Sequence, residues 1–191
     1  MDRIVLASDS PRRREILARL GIRFRALSPR WKEPEPAVSD DPVRYAESAA
    51  RAKARSVVGL VDSCLVVGVD TVVALGKTIL GKPRNRKDAG QMLHRLSGRT
   101  HTVTTGVAVI RIPGRRTWVA SATSRVHFRR LKRAEVEDYL ASDEPYDKAG
   151  AYAVQGRAAA FVDWMEGSYL NVVGLPATVL LMLLDRAGAR L

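Results

Sequence analysis

Ile4-Val5-Leu6-Ala7 is an unbroken apolar run of strand length, and Ser10-Pro11 behind it supplies an N-cap and a first-turn proline. The chain therefore opens as a strand feeding a helix. Ile16, Leu17 and Leu20 share one stripe of that helix and Gly21 ends it; Ile22, Phe24 and Ala26 then alternate with Arg23 and Arg25, predicting a second strand. The stretch from Ser28 to Pro42, with prolines at 29, 34, 36 and 42, is expected to be irregular. Asp41-Pro42 restarts a helix over the alanine-rich AESAARAKARSVV, whose small side chains predict close packing.

Cys64 to Val69 is apolar and β-branched and ends in Asp70, which places this acid at the carboxyl end of a central strand, where α/β sheets keep their ligands. Val72 to Leu80 reads as a hairpin turning at Gly76-Lys77 and Asn85 to Leu96 as a helix. His101 to Ile112 and Thr117 to Arg129 read as long strands joined by Pro113-Gly114. A helix over Glu135 to Leu140, an irregular glycine-bearing segment, a strand over Ala159 to Trp164 and a terminal helix over Pro176 to Asp185 complete the pattern. No repeat or linker interrupts it, so residues 1–191 are expected to form one α/β domain, any two lobes sharing one continuous fold.

Composition narrows the function classes. With 46% hydrophobic and 27% charged residues in 191, the chain is globular rather than disordered. Lysine and arginine total 32 against 20 acids, a net charge of +12, which points to a polyanion: nucleotide, nucleic acid or membrane surface. The lone Cys64 excludes an internal disulfide, and the four apolar residues near the start are too few for a secretory core, so a reducing cytoplasm is expected. The longest apolar runs, such as Ala177 to Leu184, fall far short of the ~20 residues that span a bilayer, so no membrane partner is expected.

Three segments carry candidate chemistry. Ser8-Asp9-Ser10-Pro11-Arg12-Arg13 joins a strand to a helix N-terminus, where unpaired N–H groups suit phosphate; a solvated basic face over Arg12 to Arg14 is the plainer alternative. Asp70, following a buried run, calls for a cation, a donor network or a proton to move, unless Asp70-Thr71 simply caps a turn. Glu33, in a proline-framed loop with Glu35, is either part of a loose acidic loop or a partner of Asp70 around Mg²⁺, which takes one or two carboxylates beside substrate phosphates. Gly76 to Lys82 matches the glycine–lysine spacing of a P-loop, but Pro83 replaces the metal-binding hydroxyl and Thr78-Ile79-Leu80 reads as strand, which excludes one. Lys82, Lys53 and Lys148 remain as point charges for phosphate. His94, His101 and His127 lack metal-ligand spacing, Cys64 sits among apolar neighbours, and neither a G-x-S-x-G elbow nor a G-x-G-x-x-G turn occurs.

Taken in order, LASDSPRRREIL, VVGVDTVV, LGKP, LSGRTHTVTTGV, EPYDKAGAYAVQG and GSYLNVVGLP resemble the Maf family of nucleoside triphosphate pyrophosphatases over nearly the whole chain. The resemblance implies an α/β fold of the inosine-triphosphate-pyrophosphatase type, an elongated mixed β-sheet flanked by helices with a cleft between two lobes, and usually a homodimer. It implies that Ser8, Arg12, Arg13, Glu33, Lys53, Asp70, Thr71 and Lys82 line the nucleotide cleft. Arg12, Thr71 and Gln155 fit the subgroup acting on dTTP and UTP, whereas the 7-methyl-GTP subgroup carries Trp in the first motif, which this chain lacks there.

The expected reaction is hydrolysis of a nucleoside triphosphate to the monophosphate and pyrophosphate, with water attacking the α-phosphorus. Asp70 would accept the proton of the attacking water and, with Glu33, hold a divalent cation, Mg²⁺ with Mn²⁺ or Co²⁺ as alternatives. Arg12, Arg13, Lys53 and Lys82 would neutralise the triphosphate, Gln155 would meet the imide edge of thymine or uracil, and Thr71 would add a hydroxyl. Modified pyrimidine nucleotides are the nearest alternative substrates. A non-catalytic nucleic-acid-binding protein is the rival class, suggested by the charge and by the family's association with arrest of septum formation; it is disfavoured because aromatics, at 6%, do not interleave with the basic residues.

Overall fold

The computed structural model describes residues 2–32, 34–36 and 41–190. Seven strands, β1 (Ile4–Ala7), β2 (Phe24–Leu27), β3 (Cys64–Leu75), β4 (Thr78–Leu80), β5 (Thr100–Ile112), β6 (Thr117–Phe128) and β7 (Val162–Glu166), form one mixed sheet in the order β2-β1-β3-β5-β6-β7, with β4 on β3. Helices α1 (Pro11–Arg19), α2 (Pro42–Arg55), α3 (Arg86–Leu96), α4 (Arg133–Tyr139), α5 (Tyr169–Val173) and α6 (Ala177–Arg186) flank it. This is the mixed sheet with flanking helices that the resemblance implied.

The pairing of β3 shapes everything around it. Along one edge it pairs antiparallel with β5 from Cys64 to Ala74 without interruption. Its other edge is shared: β1 runs parallel to it as far as Gly68, and β4 folds back on it from Val73 to Leu75. Between these partners, residues 69–72 have no described strand on that edge. The sheet is notched there, and the carboxyl end of β1, the start of α1 and the β4 hairpin surround the notch.

Alternation along β3 sorts its side chains by face. Leu65, Val67 and Val69 join Val107 and Val109 of β5 against α1 and α6, through Leu17, Leu180, Leu183 and Leu184. Cys64 and Val66 join Ala108 and Ile110 on the other face, against Ala50, Ala54 and Val57. On that second face the next positions are Gly68 and, opposite Asp70, Gly106. A Cβ on Gly68 would stand 2.1 Å from the Ala50 carbonyl oxygen, and one on Gly106 2.4 Å from that of Ala46, so α2 lies directly on the sheet backbone. The alanine-rich face of α2, with Ala46, Ala49, Ala50 and Ala54 buried, is the matching surface.

Several boundaries differ from expectation, each for a local reason. β3 runs on through Asp70 to Leu75, because β5 supplies a partner beyond the point where β1 leaves. Asp70 is therefore mid-strand, although it lies just past the carboxyl end of the parallel part. Ile22 precedes β2, its N–H closing the α1 turn on Leu17. The stretch expected as a strand over Ala159 to Trp164 is a 3-10 turn over Arg157–Phe161, and only then does β7 begin. The segment Gly167 to Pro176 contains the short helix α5, capped by the Ser168 hydroxyl accepting from the Asn171 N–H. α4 starts at Arg133, two residues early, where the Glu135 carboxylate accepts from the Lys132 N–H at 2.9 Å. No helix among the described residues is long and apolar enough to cross a membrane.

Overpacking beneath α2 should be costly. Gly68→Ala is expected to lose about 2–3 kcal/mol in urea denaturation, whereas Gly59→Ala, whose Cβ would meet nothing within 4 Å, stays within about 0.5 kcal/mol. Equal stability of the two variants would show that the helix has room to move.

Candidate active site

A cavity of about 610 Å³ opens at the notch. Asp70 lies at its floor, 3% exposed, with its side chain on the α2 face of β3 like Gly68 two residues earlier. Lys53, on the same helical stripe as Ala46, Ala50 and Ala54, donates from Nζ to Asp70 Oδ1. A buried pair of this kind holds the carboxylate in one place, and removing one partner is typically far worse than never having had either. The close seating of the helix on the sheet backbone is thus what brings a side chain from α2 to a carboxylate in mid-strand.

Thr71 points to the opposite face and is reached from α1. The Arg13 guanidinium donates from Nη2 to Thr71 Oγ1 (3.1 Å), from Nη1 to Ser8 Oγ (3.2 Å) and from Nε to the Gly174 carbonyl (3.0 Å). Thr105 Oγ1 donates to the Asn171 carbonyl, which leaves Thr71 to donate to Thr105 across the strand pair at 3.0 Å. One planar cation therefore ties the β1–α1 turn, β3 and the α5–α6 turn together. Arg13 borders the cavity, but its three hydrogen bonds to Ser8, Thr71 and Gly174 mark it as a clasp as much as a phosphate ligand. Ser8, 2% exposed, also accepts from the Ser10 N–H, so the helix N-cap position is organised by Ser8 rather than by the Ser10 side chain.

The far wall comes from residues 147–155. Gly150 N–H donates to the Gly81 carbonyl, which fastens this wall to the loop after β4 that carries the exposed Lys82. Gly150 and Ala151 are both left-handed, at φ +69° and +61°. Such a conformation is costly for alanine and persists where the surroundings enforce it. Behind it Tyr152 is anchored by a 2.8 Å hydrogen bond between its hydroxyl and His101 Nε2. Glu144 fastens the outgoing turn, accepting from Tyr139 Oη (2.9 Å) and the Arg157 N–H (3.0 Å), which sets the exposed Gln155 at the rim.

Ser8, Arg12, Arg13, Lys53, Asp70, Thr71, Lys82 and Gln155 all border the one cavity. Glu33 lies outside the described residues. Among the described residues no three His, Cys, Asp or Glu side chains converge as a metal cluster. Trp31, Tyr45 and the Asp147-Lys148 pair also border the cavity, and residue-level reasoning missed Trp31 and Tyr45. Lys53 Nζ stands 5.9 Å from the Trp31 ring centroid, and Tyr45 Oη donates to the Pro34 carbonyl at 2.6 Å. The signal available was their place in and just after a proline-rich loop opposite a basic helix face.

A family profile described as Maf-like protein matches residues 3–187. The chain belongs to the Maf family. Among Maf relatives it is 47% identical over 188 residues to the dTTP/UTP pyrophosphatase of Pelotomaculum thermopropionicum, covering 98% of each chain. It is 48% identical over 176 residues to the dTTP/UTP pyrophosphatase of Moorella thermoacetica, covering 92% of this chain and 90% of the relative. Among solved structures, the Ham1 protein of Staphylococcus aureus is similar over 66% of this chain and 71% of its own, with a TM-score of 0.46 and 12% identity.

In this Maf chain the histidine behind the far wall is kept neutral. Burial pushes the His101 imidazole down to about 4, outweighing the opposing influence of the Arg99 backbone, with the nearby His127 pushing the same way. The unfolded state, with histidine near its ordinary value of about 6.5, binds a proton that the folded state refuses between those two values. Stability should therefore fall as pH falls from about 6.5 towards 4, this residue contributing roughly 2–3 kcal/mol of the loss. Urea denaturation at pH 7 and pH 4.5 checks this: His101→Gln should lose correspondingly less than the wild type across the interval, and an identical loss would contradict it.

Proposed function

We propose that this Maf chain hydrolyses dTTP and UTP to the nucleoside monophosphate and pyrophosphate, acting at the notch in β3. The observation that carries the reading is a buried carboxylate, paired with Lys53, on the floor of a cavity that also presents Arg12, Arg13, Lys82 and Lys148. The names of its dTTP/UTP pyrophosphatase relatives supply the substrate class. The volume suits a nucleotide, since small-molecule sites commonly span about 300–1,000 Å³.

In this reading Asp70 orients the attacking water and accepts its proton, and the Lys53 ammonium positions the carboxylate for that role. Arg12 and Lys82 take up charge on the phosphates, while Arg13 chiefly holds Ser8 and Thr71 in place. The donor chemistry fits a hard divalent cation: Asp70 offers carboxylate oxygen at the cavity, and Glu33 would join it. When bound, such an ion, Mg²⁺ by choice, neutralises phosphate charge and acidifies water. Gln155, with one amide donor and one acceptor at the rim, matches the imide edge shared by thymine and uracil. The family resemblance further supports one domain acting as a cytoplasmic homodimer.

The basic surface does not favour the nucleic-acid reading. Arg129 makes a two-pronged pair with Glu135, and Arg86, Arg125 and Arg157 pair with Glu137, Glu166 and Asp138, so acids are interspersed among these arginines.

Asp70→Asn is the direct test. With Mg²⁺ and dTTP, pyrophosphate release by the folded variant should fall roughly 10²–10⁴-fold, and near-wild-type release would remove Asp70 from the role of base.

A further inference from the structure

The far wall of the cavity carries a carboxylate among its cations. Asp147 and Lys148 border the cavity together with Arg12 of α1 and Lys82, and Lys148 Nζ donates to Asp147 Oδ1. The two partners are unequally placed. The Lys148 side chain is 15% exposed, whereas that of Asp147 is 72% exposed. Partial burial pushes the Asp147 carboxyl up, but the hydrogen bond and charge of Lys148, with the charge of Arg12, bring it below the usual carboxylate range. Its ionised form therefore answers to two cations that come from different elements.

The backbone beneath Lys148 is fixed. The Ala151 N–H donates to the Lys148 carbonyl and the Gly150 N–H to that of Gly81, while a Cβ on Gly150 would already stand 3.0 Å from Val73. Lys148 is held at the wall, and Asp147 is the partner that rotation about its side-chain bonds can swing into water.

Charge at the site gives this pair a use. A nucleoside triphosphate brings about four negative charges to a cavity whose Lys53 is engaged with Asp70 and whose Arg13 is bonded to Ser8, Thr71 and Gly174. A phosphate oxygen on Lys148 would form the same charge-assisted contact that Asp147 now makes, with more charge behind it.

We propose that Lys148 is a further polyphosphate-binding cation of this site and that Asp147 is a built-in competitor, a carboxylate that holds Lys148 when the cleft is empty and yields it to a triphosphate. This rests on the nucleotide reading for the class of ligand. The exchange tunes affinity downward: binding must displace an ion pair, and the pair re-forms as pyrophosphate leaves. It also favours highly charged ligands over monophosphates, which bring less charge to displace the carboxylate.

The probe is inorganic tripolyphosphate, which has no base and no nucleoside ester, titrated calorimetrically into the full chain in the presence of EDTA. Asp147→Asn should bind it at least 5-fold more tightly than the wild type, and Lys148→Gln at least 5-fold more weakly. Asp143→Asn, which removes an exposed carboxylate of the same segment that does not border the cavity, controls for net charge and should leave affinity unchanged. Affinity unchanged or weakened in Asp147→Asn, an equal gain in Asp143→Asn, or no binding by the wild type would each overturn the proposal. Pyrophosphate release from dTTP by the wild type, measured alongside, reports on the nucleotide reading separately.

Discussion

The seat of α2 on the sheet is the constraint from which the site follows. Where a side chain would ordinarily separate helix from strand, Gly68 and Gly106 offer bare backbone and α2 answers with alanines. That closeness lets a lysine on the helix reach the carboxylate of a residue in mid-strand. Taking both charges out of water is expensive, and their mutual attraction offsets the cost only when geometry is held closely. The glycine–alanine contact provides that rigidity, so a packing feature with no polar atom of its own determines where the site's central charge stands.

The second requirement is an opening, and the strand pairing creates it. β3 is satisfied along its whole length by β5 on one edge, which frees the other edge to be divided between β1 and β4 with a gap between them. A carboxylate in that gap can be buried in the sheet and still face a cavity. Because neighbouring residues of a strand face opposite ways, Asp70 is served from α2 and Thr71 from α1. The Arg13 clasp then locks the α1 side, and Glu144, Gly150 and the Tyr152–His101 bond lock the far wall. Three separate stretches of chain are fastened around one opening by polar contacts, and Val73, Leu80 and Val103 of the apolar core line part of it.

Much of this was legible in the sequence. The strand–helix–strand opening, the alanine-rich helix, the β4 hairpin and the two long strands followed from periodicity and turn residues, and of the residues carried over from the family resemblance those that are described border one cavity. Asp70 was placed near the right point for an incomplete reason: the apolar run does end there, but β-pairing with Thr102 to Gly106 continues the strand through polar positions that alone would have read as a turn. Ala159 to Phe161 misled because a short apolar run reads the same in a buried strand and in a 3-10 turn, and here the Arg129 side chain and backbone hold the turn through Ala160 and Phe161. The capped helix α5 was missed because five residues are too few to show a period. The Lys53–Asp70 pair was invisible locally, since it joins residues from different elements and depends on the two glycines between.

In the proposed reaction water attacks the α-phosphorus of a nucleoside triphosphate held over Asp70. Hydrolysis of dTTP in ¹⁸O-labelled water, with mass analysis of both products, tests it most directly. Attack at the α-phosphorus puts one ¹⁸O in the dTMP and none in the pyrophosphate. Label in pyrophosphate, or orthophosphate as the first product, would contradict it.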